Sequence, residues 1–366
     1  MHQCWMSRGG SALLTAALAV ACGARTGLPD PGPATDQPVC SGAPITATAP
    51  IPNLYLVLDT SQSMSLDSKW STVRSVVAAM MDQVGPRARF GVTVFPTSAD
   101  NGCGTGTQVL SLRLGDNTGA TSAAFLAATN FDPVGGTPTA ATLEALKPTL
   151  ETFSGVTYVI LATDGGPNCN PDLTCNVDQC TVNLEGEYPQ CPVGGPFNCC
   201  DPNNDTAQQS VTGPTGCLDG TSTVQAASDL RALGVRTFVI GIPGSGPYGG
   251  ILDSVATAGG TARSTEPFYY SVDTADTSQL ESAIESVTLQ TLSCAFTLDH
   301  APSDPGEVNV YVGGVILAQN AGGGANGWTL EGTTLTLLGS TCVGLEAQPN
   351  TPVTVLEGCP TVIASP

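Results

Sequence analysis

Three short segments of this 366-residue chain carry oxygen-bearing side chains in turns, and their types suit one chemistry. In Asp59-Thr60-Ser61-Gln62-Ser63, the side chains of Asp59, Ser61 and Ser63 stand at alternate positions and can turn toward one point. Gly135-Gly136-Thr137-Pro138-Thr139 is a flexible turn presenting hydroxyls, and Thr163-Asp164-Gly165-Gly166 sets a carboxylate in a glycine turn. Carboxylates and hydroxyls are hard donors, matched to Mg²⁺, Mn²⁺ or Ca²⁺ rather than to soft metals. Alone, D-x-S-x-S reads equally well as capping, in which a serine hydroxyl accepts backbone N–H groups at a helix start. Recurrence in two further turns of the same kind favours a shared cation.

The elements around these turns would bring them together. LYLVL at 54–58 ends at Asp59, YVILA at 158–162 ends just before Asp164, and the helical pattern TLEALKPTL at 142–150 follows the Gly-Gly-Thr turn. Further apolar runs, FGVTVF at 90–95 and RTFVIGI at 236–242, alternate with helical patterns at 69–84, 224–234 and 279–289. Short continuous apolar strands separated by helices describe a doubly wound α/β domain, with a mostly parallel sheet covered on both faces. TQVLSLRLG at 107–115 reads as an added edge strand. In such a sheet ligands gather outside the carboxyl ends of the strands, where all three turns fall.

D-x-S-x-S, then Gly-Gly-Thr-x-Thr, then strand-Thr-Asp-Gly, in this order and spacing, resembles the metal-ion-dependent adhesion site of von Willebrand factor type A (VWA) domains. The resemblance covers roughly residues 53 to 292. It implies that Asp59, Ser61, Ser63, Thr137 and Asp164 surround one divalent cation, most naturally Mg²⁺. With only two anionic ligands, such an ion stays electrophilic and would take an Asp or Glu of a protein partner as a further ligand. The expected function is therefore an adhesion or binding module, with a structural protein stiffened by its ion as the alternative.

The N-terminus speaks for export. Arg8, an apolar run from Ala12 to Ala21 and small residues before Cys22 form a signal peptide over 1–21. Leu18-Ala19-Val20-Ala21-Cys22-Gly23 resembles a bacterial lipobox, which implies lipidation at Cys22 and anchorage in the envelope, on the outer membrane or a periplasmic face. Residues 22–52, rich in Pro, Gly, Ala and Thr, read as a tether. The α/β domain then spans 53–293, and 294–366 forms a small β-rich module, marked by VNVYV, the pair Gly313-Gly314 and VIL. This tail, with CGARTGL at the lipid site, resembles VWA-bearing lipoproteins of large-genome Gram-negative bacteria.

Cysteine usage agrees with an oxidising compartment. Of 14 cysteines, loss of Cys4 with the signal and acylation of Cys22 leave an even number. Cys169, Cys175, Cys180, Cys191, Cys199, Cys200 and Cys217 crowd an insertion at 165–220 with too little apolar content for a core of its own, and Cys103 is the expected eighth partner. Cys342 with Cys359 would close the tail, leaving Cys40 and Cys294 to clasp the ends of the main domain. Connectivity within the insertion stays open.

Several functions are disfavoured. The net charge of −20 repels nucleic acid. The histidines are His2 and His300, both outside the main domain, which removes a Ser-His-Asp triad and leaves no expected catalytic residue. Gly244-Ser245-Gly246-Pro247-Tyr248-Gly249 nominally fits a dinucleotide fingerprint, but Pro247 removes a donor and the segment is not in the first strand-helix unit, so it reads as a loop. The Asn- and Asp-bearing stretches 176–178 and 201–205 lack EF-hand spacing and read as ordinary turns.

Overall fold

A computed structural model describes residues 42–98, 102–186, 188–203, 213–273, 277–320, 326–348 and 351–363. In chain order the first strands are Ala43–Ile45 (β1), Ala47–Thr48 (β2) and Asn53–Asp59 (β3), followed by helix Lys69–Val84 (α1) and strands Arg89–Phe95 (β4) and Thr107–Leu114 (β5). Helices Ala120–Ala128 (α2) and Thr139–Leu150 (α3) lead to strand Thr157–Thr163 (β6), then to Thr181–Glu185 (α4) and Gly220–Ala232 (α5). Arg236–Gly241 (β7), Gly249–Ala258 (α6), Tyr270–Ser271 (β8) and Thr277–Thr291 (α7) complete the α/β part. The remainder holds strands Ala295–Leu298 (β9), Val308–Val312 (β10), Val315–Leu317 (β11), Gly327–Glu331 (β12) and Thr334–Leu338 (β13), helix Gly339–Ala347 (α8) and strand Val353–Glu357 (β14).

The central sheet runs β5-β4-β3-β6-β7-β8, parallel throughout except for β5, the antiparallel edge. Its middle strand shows why continuous apolar runs form it. Leu54, Leu56 and Leu58 face a core shared with α1, α2 and α7, while Tyr55 and Val57 face a second core shared with α3, α5 and α6. Because successive side chains leave opposite faces, a strand covered on both sides reads as a nearly continuous apolar run, and a polar interruption such as Thr93 in β4 is buried with its hydroxyl 2.8 Å from Tyr55 Oη. β3 and β6 pair with Leu58 opposite Ala162, so Asp59 and Thr163 come next in line at the same carboxyl end.

The tail is a two-sheet β module, β1-β14-β10-β11 and β12-β13-β9-β2. Trp328, fully buried, anchors its core with Val308, Val310, Leu335 and Val355, and its Nε1 donates to the Leu317 carbonyl. Gly313 and Gly314, at φ of 58° and 82°, make the two-residue hairpin turn between Val312 and Val315, a conformation that side-chain-bearing residues resist.

Three expectations need correction. The tether does not run to residue 52: residues 43–48 are strands of the β module, because Ile45 belongs to its core and β1 and β2 complete one edge of each sheet. Cys294 bonds to Cys342, so neither the Cys40–Cys294 clasp nor a Cys342–Cys359 pair forms, since α8 brings Cys342 beside the start of β9. Cys359 is disulfide-bonded as well. The expected β-rich module after Cys294 also contains one helix, α8. Cys22 and Cys40 lie outside the described residues, as do the signal segment and most of the tether.

Candidate metal centre

Asp59, the last residue of β3, is fully buried. One carboxylate oxygen, Oδ1, accepts the Ser61 N–H at 2.8 Å, and Oδ2 accepts the Thr163 hydroxyl at 2.5 Å. Ser61 Oγ and Ser63 Oγ lie 3.1 Å apart, and Ser63 Oγ donates to Asp164 Oδ1 at 2.8 Å. Thr137 approaches across Gly165: a Cβ built on that glycine would sit 3.4 Å from Thr137 Oγ1 and 3.7 Å from Ser63 Oγ. All five oxygen-bearing residues singled out in the sequence thus converge at one end of the sheet.

The capping reading of the serines fails on the same geometry. Helix α1 starts only at Lys69, after a 3-10 stretch Gln62–Ser68 interrupted at Leu66 and Asp67, and neither Ser61 nor Ser68 makes a side-chain cap bond. Ser61 and Ser63 therefore serve no helix end.

Backbone contacts lock the turns to one another. The Gln62 N–H reaches the Gly135 carbonyl at 3.0 Å, the Val134 N–H reaches Thr60 O at 2.9 Å, and the Gly136 N–H reaches Gly102 O at 2.9 Å. Gly135, at φ 95°, passes so close to Gly102 that a Cβ on it would meet the Gly102 carbonyl at 2.5 Å. Glycine at 135 is thus a steric requirement of the Thr137 turn.

Electrostatically the site is anionic and dry. Burial, and then the charge of Asp164, push the Asp59 carboxyl up to about 7, against the opposing hydrogen bonds from Thr163 and Ser61. Lys69 Nζ contacts Asp164 Oδ2 at 2.6 Å, with side chains 10% and 0% exposed. The donor set, two carboxylates and three hydroxyls, fits a hard divalent cation, and the lysine ammonium on Asp164 shows that positive charge is accommodated there.

The insertion walls this site. Cys103–Cys169 ties it to the segment between β4 and β5, and Cys175–Cys217, Cys180–Cys200 and Cys191–Cys199 staple its interior around Val182. Asn168 links wall and site, its Oδ1 accepting the Thr137 N–H at 2.7 Å and its Nδ2 donating to Thr181 Oγ1 at 3.3 Å. Between them opens a cleft of about 630 Å³ whose lining includes Ser61, Ser63, Thr137 and Asp164 on one side and Val182 and Tyr188 on the other. The insertion therefore walls a cleft beside the oxygens, of whose residues Ser63 is half-buried and the other four are buried. Within it, Asn176 and Asp201 accept from backbone N–H groups two residues on, at 3.1 Å and 2.8 Å, as ordinary turns do.

Sequence reasoning missed Lys69 and Asn168. Lys69 carried a signal, being the first residue of the helical pattern after D-x-S-x-S in a chain with only one other lysine, Lys147. Asn168 carried none, because its role depends on how the insertion folds back.

The sheet order, its single antiparallel edge and the turns at its carboxyl end settle the architecture. The fold is a doubly wound α/β domain on a mostly parallel sheet, with an added β module. No protein-family model matches the chain, and no curated protein matches it. Solved structures that resemble it include the vWF domain of the type V pili tip protein Mfa5 from Porphyromonas gingivalis, with 13% identity and TM-score 0.44 over 66% of this chain and 95% of that one. The pilus adhesin SpaC from Lactobacillus rhamnosus GG has 15% identity and TM-score 0.45 over 84% of this chain and 39% of that one. The PilB minor pilin from Streptococcus sanguinis has 18% identity and TM-score 0.45 over 66% of this chain and 61% of that one. This chain thus spans less than two thirds of the latter two proteins, and at these identities and scores nothing about function transfers.

Proposed function

We propose that this chain is an envelope-displayed binding module that holds a divalent cation, Mg²⁺ in the first place, and captures a protein partner through an Asp or Glu side chain. The convergence of Asp59, Ser61, Ser63, Thr137 and Asp164 from three separate turns carries this reading. Asp59 and Asp164 would supply the negative charge and the three hydroxyls neutral oxygens. When bound, the ion supplies Lewis acidity, and two carboxylates leave it enough to accept a third from outside.

The chain's own residues prepare this role. Thr163 and the Ser61 N–H orient the Asp59 carboxylate, Ser63 orients Asp164, and Asn168 fixes the Thr137 turn. A partner reaches the oxygens through the cleft, past Leu66 and Tyr188, which are 59% and 36% exposed. A projecting acidic side chain on a loop suits such a cleft better than a flat surface does. The disulfides agree with an exported location, and attachment would come from the lipid at Cys22; no helix among the described residues is long and apolar enough to cross a membrane.

Capture from envelope extract by the soluble mature chain tests this function. Binding is expected in Mg²⁺ and should vanish with EDTA or with a folded Asp59→Ala variant. Equal capture in all three conditions would assign the ion, if bound, a structural role only.

A further inference from the structure

Lys69 and Lys147 are the only lysines of the chain, and both stand in ion pairs. Lys147 lies on the surface between Glu144 and Asp229. Lys69 differs, because its ammonium and the Asp164 carboxylate form a nearly dry pair at 2.6 Å. Desolvating two such charges consumes most of what their attraction returns, and apolar replacements of buried pairs are often neutral or better. Stability alone is therefore a weak reason for this lysine.

Its position suggests another. The ammonium sits on Asp164 Oδ2 while Ser63 holds Oδ1, so both oxygens of the carboxylate are engaged. A divalent ion ligated by Asp164 and an ammonium on the same group would repel each other across a single carboxylate, with little solvent to screen them. The lysine also has a built berth and a way out. Gly244, at φ 114°, lies against it, and a Cβ there would stand 3.1 Å from Nζ and 3.2 Å from the Asp164 carbonyl oxygen. On the other side Lys69 lines the open cleft, into which its flexible four-carbon stem allows it to swing.

We propose that Lys69 is a tethered competitor for the cation: its ammonium and the divalent ion contend for Asp164, so that Lys69 sets the affinity of the site and selects for divalent charge. A monovalent ion gains nothing over the ammonium already there, whereas a divalent ion displaces it into the cleft. This inference rests on the ion-binding reading proposed above.

Calorimetric titration of Mn²⁺ into the folded mature chain and its Lys69→Met variant tests it. Removing the competitor should tighten Mn²⁺ binding about tenfold or more. A second measurement needs no variant: amine acetylation mapped by mass spectrometry should rise at Lys69 when Mn²⁺ saturates the site, with Lys147 as the unchanged internal reference. Equal or weaker binding by Lys69→Met, or Lys69 labelling indifferent to Mn²⁺ while uptake is measured, would overturn the competitor role and leave the proposed function standing. Absence of Mn²⁺ uptake by both proteins would remove the proposed function and this inference together.

Discussion

Asp59 is buried beside a second carboxylate, and the resulting strain in protonation has a measurable sign. The folded chain holds a proton on Asp59 up to about pH 7, where an unfolded Asp has released its own near pH 4. The folded state therefore binds more protons across that window, and stability falls as pH rises through it. In EDTA the melting temperature should decline between pH 5 and pH 8, and saturating Mg²⁺ should flatten the decline by replacing the proton. A melting temperature in EDTA that is level over this range would contradict the environment described for Asp59. Asp59→Asn keeps the shape and removes the buried charge, so at pH 8 it should abolish ion uptake while raising the EDTA-form stability by about 1 kcal/mol. Calorimetry and thermal melts of the variant check both halves. At this scale the five oxygens were readable because their types repeat at the right strand ends. Lys69 and Asn168 were hidden because their meaning arises from contacts across elements.

Glycines and one disulfide hold the turns in place, and their loss should propagate to the oxygens. Gly135→Ala must relieve both a positive φ and a contact of 2.5 Å with the Gly102 carbonyl. The expected cost is about 1–3 kcal/mol with weakened ion binding through the displaced Thr137, checked by chemical denaturation and titration. Cys103 and Cys169 close a loop of 66 residues, so the paired substitution to Ser should cost about 2–4 kcal/mol and raise hydrogen exchange in the insertion while sparing β3 and β6. Unchanged exchange in the insertion would mean that its inner disulfides suffice. Strands buried on both faces announce themselves in sequence, since both faces select long apolar runs with few polar interruptions, and β3, β4, β6 and β7 were expected where they lie. The 3-10 stretch before α1 and the short helix α8 were not, because each is held by its neighbours rather than by a periodic apolar face.

On the scale of the molecule, the α/β domain is inserted within the β module, whose strands come from both sides of it in sequence. Ala43 pairs with Glu357 and Ala47 with Leu298. This closure was illegible in sequence because β1 and β2 are only three and two residues long, set among Pro and Thr that equally suit a tether. A chain beginning at residue 53 loses Ile45 from the module's core and should show an earlier unfolding transition of that module, with the α/β transition retained. The −20 charge and the disulfides suit an exposed life outside the cytoplasm. Calorimetric titration of Mg²⁺ into the purified mature chain, alongside a correctly folded Asp164→Ala variant, reaches the main proposal most directly. Saturable uptake of a single ion by the wild type and none by the variant is expected; no uptake of Mg²⁺, Mn²⁺ or Ca²⁺ by the wild type, or equal uptake by the variant, would contradict a cation centre built from these five residues.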